Sequence, residues 1–214
     1  GLDSWPGRLL LAFVLAWMAI TALLARAGFY QNFDVVPPRT FALGALPFLL
    51  IPIVYLLFFR DSFLTKLPLT VLTIIHVIRI PIEIVLLWLY QSGQVPVEMT
   101  FEGRNFDILS GITAPFVYLL AFRRDRPNRS VLILWNVAAL ALLTNIVTIA
   151  ILAFPSPFQM VGLDQPNIGV TYFPFIWLPA VVVPIVFFCH VASLWKLIFQ
   201  ETLTRPDRQI SSRT

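Results

Sequence analysis

The sequence predicts an all-α integral membrane protein, a bundle of six transmembrane helices with short cytoplasmic loops and longer outer loops. Three observations carry that expectation. Of 214 residues, 58% are hydrophobic and only 12% charged, against about 25% charged in soluble domains. Mean hydropathy is +0.84. Apolar runs of roughly 15 to 28 residues follow one another with short polar breaks, bracketing the ~20 residues that a spanning helix needs. A soluble domain, a disordered chain and a coiled coil are excluded by this composition. The excess of 15 Lys and Arg over 11 Asp and Glu does not mark a nucleic-acid binder, because the basic residues sit in loops between apolar runs.

The expected spans are 8–28, 40–59, 67–90, 108–122, 131–154 and 172–199, within a single domain 1–199. A cytoplasmic polar tail, 200–214, follows. The first run is read as a span and not as a signal peptide, because it is longer than an h-region and starts beside Trp5 and Arg8. The fourth is short but bounded by charge.

Orientation follows from the Lys and Arg distribution. With the N-terminus inside, Arg8, Arg60, Lys66, Arg123, Arg124, Arg126, Arg129, Lys196, Arg205, Arg208 and Arg213 fall on the cytoplasmic side. Arg26, Arg39 and Arg104 fall outside, and Arg79 lies within a span. That asymmetry places both termini in the cytoplasm of a multi-pass plasma-membrane protein. Aromatic residues form two belts. Trp5, Tyr55, Tyr118, Trp135 and Trp195 lie near the inner boundary; Tyr30, Trp88, Tyr90, Tyr172 and Trp177 lie near the outer one. Trp17 belongs to neither. The lone cysteine, Cys189, excludes an internal disulfide.

Proline is frequent, at 17 residues. Pro47, Pro52, Pro68, Pro81, Pro115, Pro174, Pro179 and Pro184 fall in or at the ends of spans. Each interior proline leaves a carbonyl that another group must satisfy. Gly44 and Gly111 are the span glycines, and no GxxxG pair supports close helix dimerisation.

Ionisable groups within spans are costly and turn toward the protein interior. His76, Arg79 and Glu83 share one face of the third span at 100° per residue. Arg79 and Glu83 are spaced to pair at i,i+4, and Pro81 frees the carbonyl of Val77. His76 and His190 lie at depths differing by about 5 Å. That proximity allows axial ligation of haem b or a share in a divalent-metal site; without such a group, each histidine simply bonds a neighbouring helix. Asn145, with Thr144 and Thr148, faces one side of the fifth span, and Asn136 the opposite side. In the outer loop, Glu102, Arg104 and Asp107 are expected to converge over the bundle, with Asp34, Gln159, Asp164, Gln165 and Asn167 completing a rim. Asp107 also reads as the N-cap of the fourth span.

Ser110-Gly111 in the fourth span and His190 in the sixth resemble a rhomboid protease in outline. Ile108 stands where that family has a glycine, and depth counting separates Ser110 from His190 by about 20 Å, beyond the ~3 Å that a nucleophile and its base need. The dyad is rejected. Phosphate-binding loops, HExxH and cysteine pairs are absent.

The functional expectation is an outward-opening polar cavity that binds or transports a small molecule or ion, with proton coupling through Glu83 and His76 as an extension. Arg79, Glu83, His76, Asn145, Glu102, Arg104 and Asp107 are its candidate ligand residues. The alternative is a haem- or metal-dependent enzyme or electron carrier on a lipid-soluble substrate, with His76 and His190 as ligands. A third reading is a structural subunit. No cofactor is required by the first. Expected partners are the lipid bilayer and the small solute, not nucleic acid, with room for a homo-oligomer.

Overall fold

The computed structural model describes residues 5–50, 67–123 and 127–200. Those residues are helices and loops, without a strand among them. The expected inner half of the second span, Pro52, Tyr55, Arg60, Lys66, Arg124, Arg126, Arg205, Arg208, Arg213 and the tail beyond Gln200 lie outside the described residues, as does the Trp5 side chain.

Six helices order the described chain. Helix α1 is Trp5–Arg26. Its end is set by Gly28, whose φ of 76° suits glycine alone among ordinary residues. Helix α2, Thr40–Leu50, starts on a wide π-helical turn, Thr40–Ala45. Helix α3, Leu69–Gln91, follows the extended Pro68. Helix α4 is Ile108–Ala121, and α5 is Arg129–Leu152, capped by the Asn128 side chain accepting from the Val131 N–H at 3.2 Å. Helix α6 is Leu178–Phe199. It begins six residues later than expected from the apolar run. Tyr172 to Ile176 form a bend and turns, where Pro174 has no N–H to continue a helix.

Three of these helices, α3, α5 and α6, are long and apolar enough to cross a bilayer. The apolar parts of α1 and α4, Leu11–Arg26 and Ile108–Ala121, and the described part of α2 are shorter.

On α3 the buried residues are Leu72, Thr73, His76, Arg79, Glu83, Leu86 and Leu89, recurring every three or four positions as one inward stripe. Val71, Ile74, Ile78, Ile84 and Trp88 are exposed on the opposite side, as a lipid-facing surface requires. Ahead of Pro81, α3 tightens into a 3-10 turn, Ile75–Ile78. Pro81 has no N–H for the Val77 carbonyl and its ring crowds that turn. Helix α4 buries small residues, Ser110, Gly111 and Ala114, and packs tightly on this turn. A Cβ on Gly111 would lie 2.9 Å from Ile80 Cγ1 and 3.1 Å from the Ile80 nitrogen. Small residues let backbones approach in this way, and packing contacts replace the hydrophobic effect inside lipid.

Helices α3 to α6 surround Arg79, with α1 and α2 against the first turns of α6. Two indoles lock α1 to α6. Trp17 Nε1 donates to the Ala180 carbonyl at 3.1 Å, and Trp177 Nε1 donates to the Met18 carbonyl at 3.1 Å. Pro184 cannot give Ala180 the N–H expected four residues on; Trp17 supplies that donor. This explains a tryptophan outside both belts.

The segment between α3 and α4 is not a surface loop. Val95, Met99, Thr100, Asn105 and Asp107 are all buried. Asn105 bonds Glu83 and Asp107 bonds Arg79. Those residues lie eight and twelve positions before the end of α3, so the loop descends about 12 to 18 Å beside it. Irregular backbone at this depth is tolerated because protein surrounds it. The descent also explains why α4 has only 14 residues.

Candidate functional site

Arg79 is the centre of the bundle. It is 2% exposed, near the middle of α3. One terminal nitrogen, Nη1, donates to Asp107 Oδ1 and to the Ala139 carbonyl at 3.3 Å. The other, Nη2, lies 2.9 Å from His190 Nε2. A guanidinium only donates, so His190 Nε2 accepts. The proton of that neutral ring is therefore on Nδ1, which donates to Asn136 Oδ1 at 2.8 Å. Asn136 passes the chain on, its Nδ2 donating to the Leu132 carbonyl at 2.8 Å. Six groups from four elements thus form one buried, directionally consistent network.

Glu83 sits one turn nearer the loop-rich end. Both of its oxygens accept from Asn105 Nδ2, at 2.6 and 2.8 Å. Asn105 is itself fixed: Nδ2 reaches the Met99 carbonyl at 3.0 Å and Oδ1 accepts the Asp107 N–H at 3.0 Å. The loop that carries it turns so tightly that a Cβ on Gly103 would meet the Val97 carbonyl oxygen at 2.2 Å. The anticipated Arg79–Glu83 pair is not what the helix makes. Asp107 is delivered to Arg79 by the descending loop, and Asn105 to Glu83. Nor does the Asp107 side chain cap α4, since it makes no cap hydrogen bond and is spent on Arg79.

The histidines meet face to face. The rings of His76 and His190 stack with centroids 4.0 Å apart and 17° between planes. Trp135 closes edge-on over His76, with 5.3 Å between centroids. Axial ligands must stand on opposite sides of a haem plane, and stacked rings leave no room for one. Both His190 nitrogens are engaged by Arg79 and Asn136, so the geometry withdraws this pair as haem or metal ligands. No cluster of three His, Cys, Asp or Glu suited to a metal occurs among the described residues. Both His76 nitrogens are buried without a partner among the described residues. Cys189 is buried against Leu72 and Ala192.

The depth count between Ser110 and His190 also fails. Arg79 touches both Asp107 and His190, so only a guanidinium separates the start of α4 from His190. A Ser110–His190 dyad is still not formed, because His190 has no free ring nitrogen.

Other expected residues lie elsewhere. Asn145 is on the exposed face of α5, where Nδ2 donates to the Arg104 carbonyl at 2.8 Å. Thr144 and Thr148 return their hydroxyls to their own helix. Glu102 and Arg104 are exposed, as are Asp34 and Asp164. Gln165 ties loops together, donating to the Tyr90 carbonyl at 2.8 Å. Gln159 bonds carbonyls within its own loop. Asn167 is buried and donates to the Ala150 carbonyl at 3.0 Å. Sequence reasoning missed Asn105 and Asn136. The 180° opposition of Asn136 and Asn145 said that only one faces inward; the buried stripe Leu132, Ala139, Leu143 and Ile146 selects Asn136.

Beside the network lies a cavity of about 110 Å³. Its walls come from Phe41 and Ala45 on α2, Ile82 and Leu86 on α3, Leu143 to Ala150 on α5 and Leu178 to Val186 on α6. Among the described residues, Arg79 and Asp107 are its only ionisable lining residues, and Asn167 is the other polar one. The cavity is therefore apolar with one charged end, not the polar chamber that composition suggests.

Residues 36–198 match the family described as domain of unknown function (DUF8737), and the chain belongs to that family. Neither a curated protein nor a solved structure matches it.

Proposed function

We propose that this protein is a membrane-embedded binding or transport protein for a small, largely apolar molecule. The observation that carries the reading is the cavity, which adjoins the Arg79–Asp107 pair in the middle of the bundle. Pockets for small molecules are mostly apolar with a few placed polar groups. Charged groups held at this depth are a functional-site hypothesis by default.

The reading places six spans in the plasma membrane, with α1, α2 and α4 joining the three longer helices and both termini in the cytoplasm. The lysine and arginine asymmetry supports that orientation. The loop-rich end then faces outward, and the solute enters from the outer leaflet or the outer solution. Proton transfer along the buried series is not part of the proposal. Arg79 donates toward both Asp107 and His190, so a proton cannot hop through it.

The test is native mass spectrometry of the protein in lipid nanodiscs. Wild type is expected to carry a stoichiometric non-peptide mass, and Ala150→Phe, which fills the cavity, to lack it. An identical ligand-free mass in both would overturn the reading.

A further inference from the structure

Resting on the binding reading above, the walls of the cavity narrow the class of molecule it admits. Among the described residues three polar ones border it, Arg79, Asp107 and Asn167, and they are 2%, 5% and 0% exposed. Arg79 turns both terminal nitrogens to Asp107, the Ala139 carbonyl and His190, and its Nε–H is buried out of reach of the cavity. Asn167 gives Nδ2 to the Ala150 carbonyl, and its Oδ1 is buried in the same way. Asp107 spends Oδ1 on Arg79. The remaining described walls are apolar side chains, among them Phe41, Ile82, Leu143, Val147 and Val183. Polar residues therefore border the cavity without offering it a free donor. Asp107 is the least enclosed of the three, so a donor carried by a ligand would meet it first.

A water molecule held inside a protein needs about two to four polar partners. Walls of this kind do not supply them, so the cavity is dry and an entering ligand displaces no water. Nor does an apolar ligand gain by leaving water, because within a bilayer it comes from hydrocarbon. What the cavity offers is packing: atoms that face a void lack contacts, and a molecule that fills it restores them. A hydroxyl, carbonyl or amine loses its partners at the membrane interface on entry and finds no free donor inside. Size sets the second limit. An engineered apolar cavity of about 150 Å³ stays dry and takes benzene; this one, at about 110 Å³, is of the same order and somewhat smaller.

We infer that the cavity is a dry site for uncharged molecules of about benzene's size or less that carry no hydrogen-bonding group, dissolved in the bilayer and held by packing alone. Recognition is then by exclusion: the volume turns away larger frameworks, and walls without a free donor turn away polar ones. Arg79 serves the site by holding α3, α5 and α6 around it, with no hydrogen bond to the ligand.

The experiment is thermal unfolding of the full chain in lipid nanodiscs, titrated separately with benzene, phenol, pyridine and naphthalene at matched concentrations within the bilayer. Benzene is expected to give a saturable rise in Tm, as a ligand of the folded state does. Ala150→Phe, or the milder Ala150→Leu should the first not fold, is expected to abolish that rise. Phenol, whose donor would meet Asp107, and pyridine, whose acceptor would need a free N–H, are expected to bind at least about tenfold more weakly. Naphthalene is expected to give no saturable rise. Phenol or pyridine binding as tightly as benzene would overturn the non-hydrogen-bonding class, and naphthalene binding as tightly would overturn the size limit; each leaves the binding reading standing. Saturation by none of the four would overturn the inference. The native mass spectrum then decides the binding reading separately: a bound mass lost in Ala150→Phe keeps it, and an identical ligand-free mass in both proteins removes it.

Discussion

Replacing Arg79 by methionine tests whether the buried series holds the bundle together. The substitution keeps an unbranched apolar stem and removes every hydrogen bond of the guanidinium. Asp107 is then a buried carboxylate with no counter-charge, and breaking a buried pair in this way costs about 3–5 kcal/mol. His190 Nε2 loses its donor as well, at about 1–3 kcal/mol for an orphaned buried acceptor. The Ala139 carbonyl loses least, because its contact is long, at 3.3 Å. The expected loss is about 4–8 kcal/mol, a large part of the ~5–15 kcal/mol that a domain commonly has. Asp107→Leu alone strands Arg79 and costs a similar amount. The double variant removes both charges, and apolar replacement of a buried pair is often neutral. It is left with the His190 acceptor, about 1–3 kcal/mol. Unfolding in mixed micelles as a function of SDS gives the four stabilities of the cycle; should both single variants fail to fold, recovery of folded yield in the double is the same readout. Additive effects, with a coupling below about 0.5 kcal/mol, would refute the view that Arg79 and Asp107 are each other's main support.

Three further outcomes are expected. Gly111→Ala forces α4 away from the Ile80 backbone, because a Cβ there lies 3.1 Å from the Ile80 nitrogen; overpacking of this kind costs about 1–3 kcal/mol, read in the same SDS titration. Asn105→Leu removes the donor to both Glu83 oxygens, and a buried acceptor left unpaired costs about 1–3 kcal/mol; protease cleavage of the 92–107 segment is expected to accelerate with it. His76→Phe keeps a flat ring against His190 and Trp135 and deletes two unpartnered nitrogens, so stability is expected to hold or rise by up to about 1–3 kcal/mol. A large loss in that variant would show that His76 has a polar partner in the working protein.

Periodicity made α3 legible. His76, Arg79 and Glu83 are spaced for one face, and that face is the buried one. The three long helices were legible for the same reason, because a run of apolar residues has one physical solution in lipid. The descending loop was not. Its polar residues, Glu102 to Asp107, read as an outer surface, and nothing in a polar string tells whether water or a helix bundle will satisfy it. Depth was misjudged with it: counting along α4 assumes that the helix starts at the interface, whereas Asp107 is level with the middle of α3. Once the loop is placed, the pairing changes too. A local i,i+4 partner for Arg79 competes with a carboxylate brought from 28 residues away, and the series toward His190 and Asn136 orients the guanidinium for the distant one. Gly103 carries the clue that was available. A glycine between Glu102 and Arg104 in an otherwise charged stretch marks backbone packed against backbone, which a floppy surface loop does not need.

The same residues bear on stability and on recognition, and this constrains how the site can work. Arg79 is held at once by Asp107 just ahead of α4 and by acceptors on α5 and α6, so it cannot swing into the cavity without breaking all three connections. A ligand that required the whole guanidinium would have to displace Asp107 and meet the cost estimated above. The stability of the bundle therefore favours ligands that ask little of Arg79, and the network itself is tested most directly at residues that do not line the cavity. Asn136→Leu is the sharpest case. It removes the acceptor for His190 Nδ1–H and no wall of the cavity. With that acceptor gone, Nε2 still accepts from a guanidinium that only donates, so the proton stays on Nδ1 as an unpaired buried donor, at a cost of about 1–3 kcal/mol. A loss of about 1–3 kcal/mol in the SDS titration is the expected result; an unchanged stability would mean that the His190 Nδ1–H has another acceptor and that Asn136 is not its support.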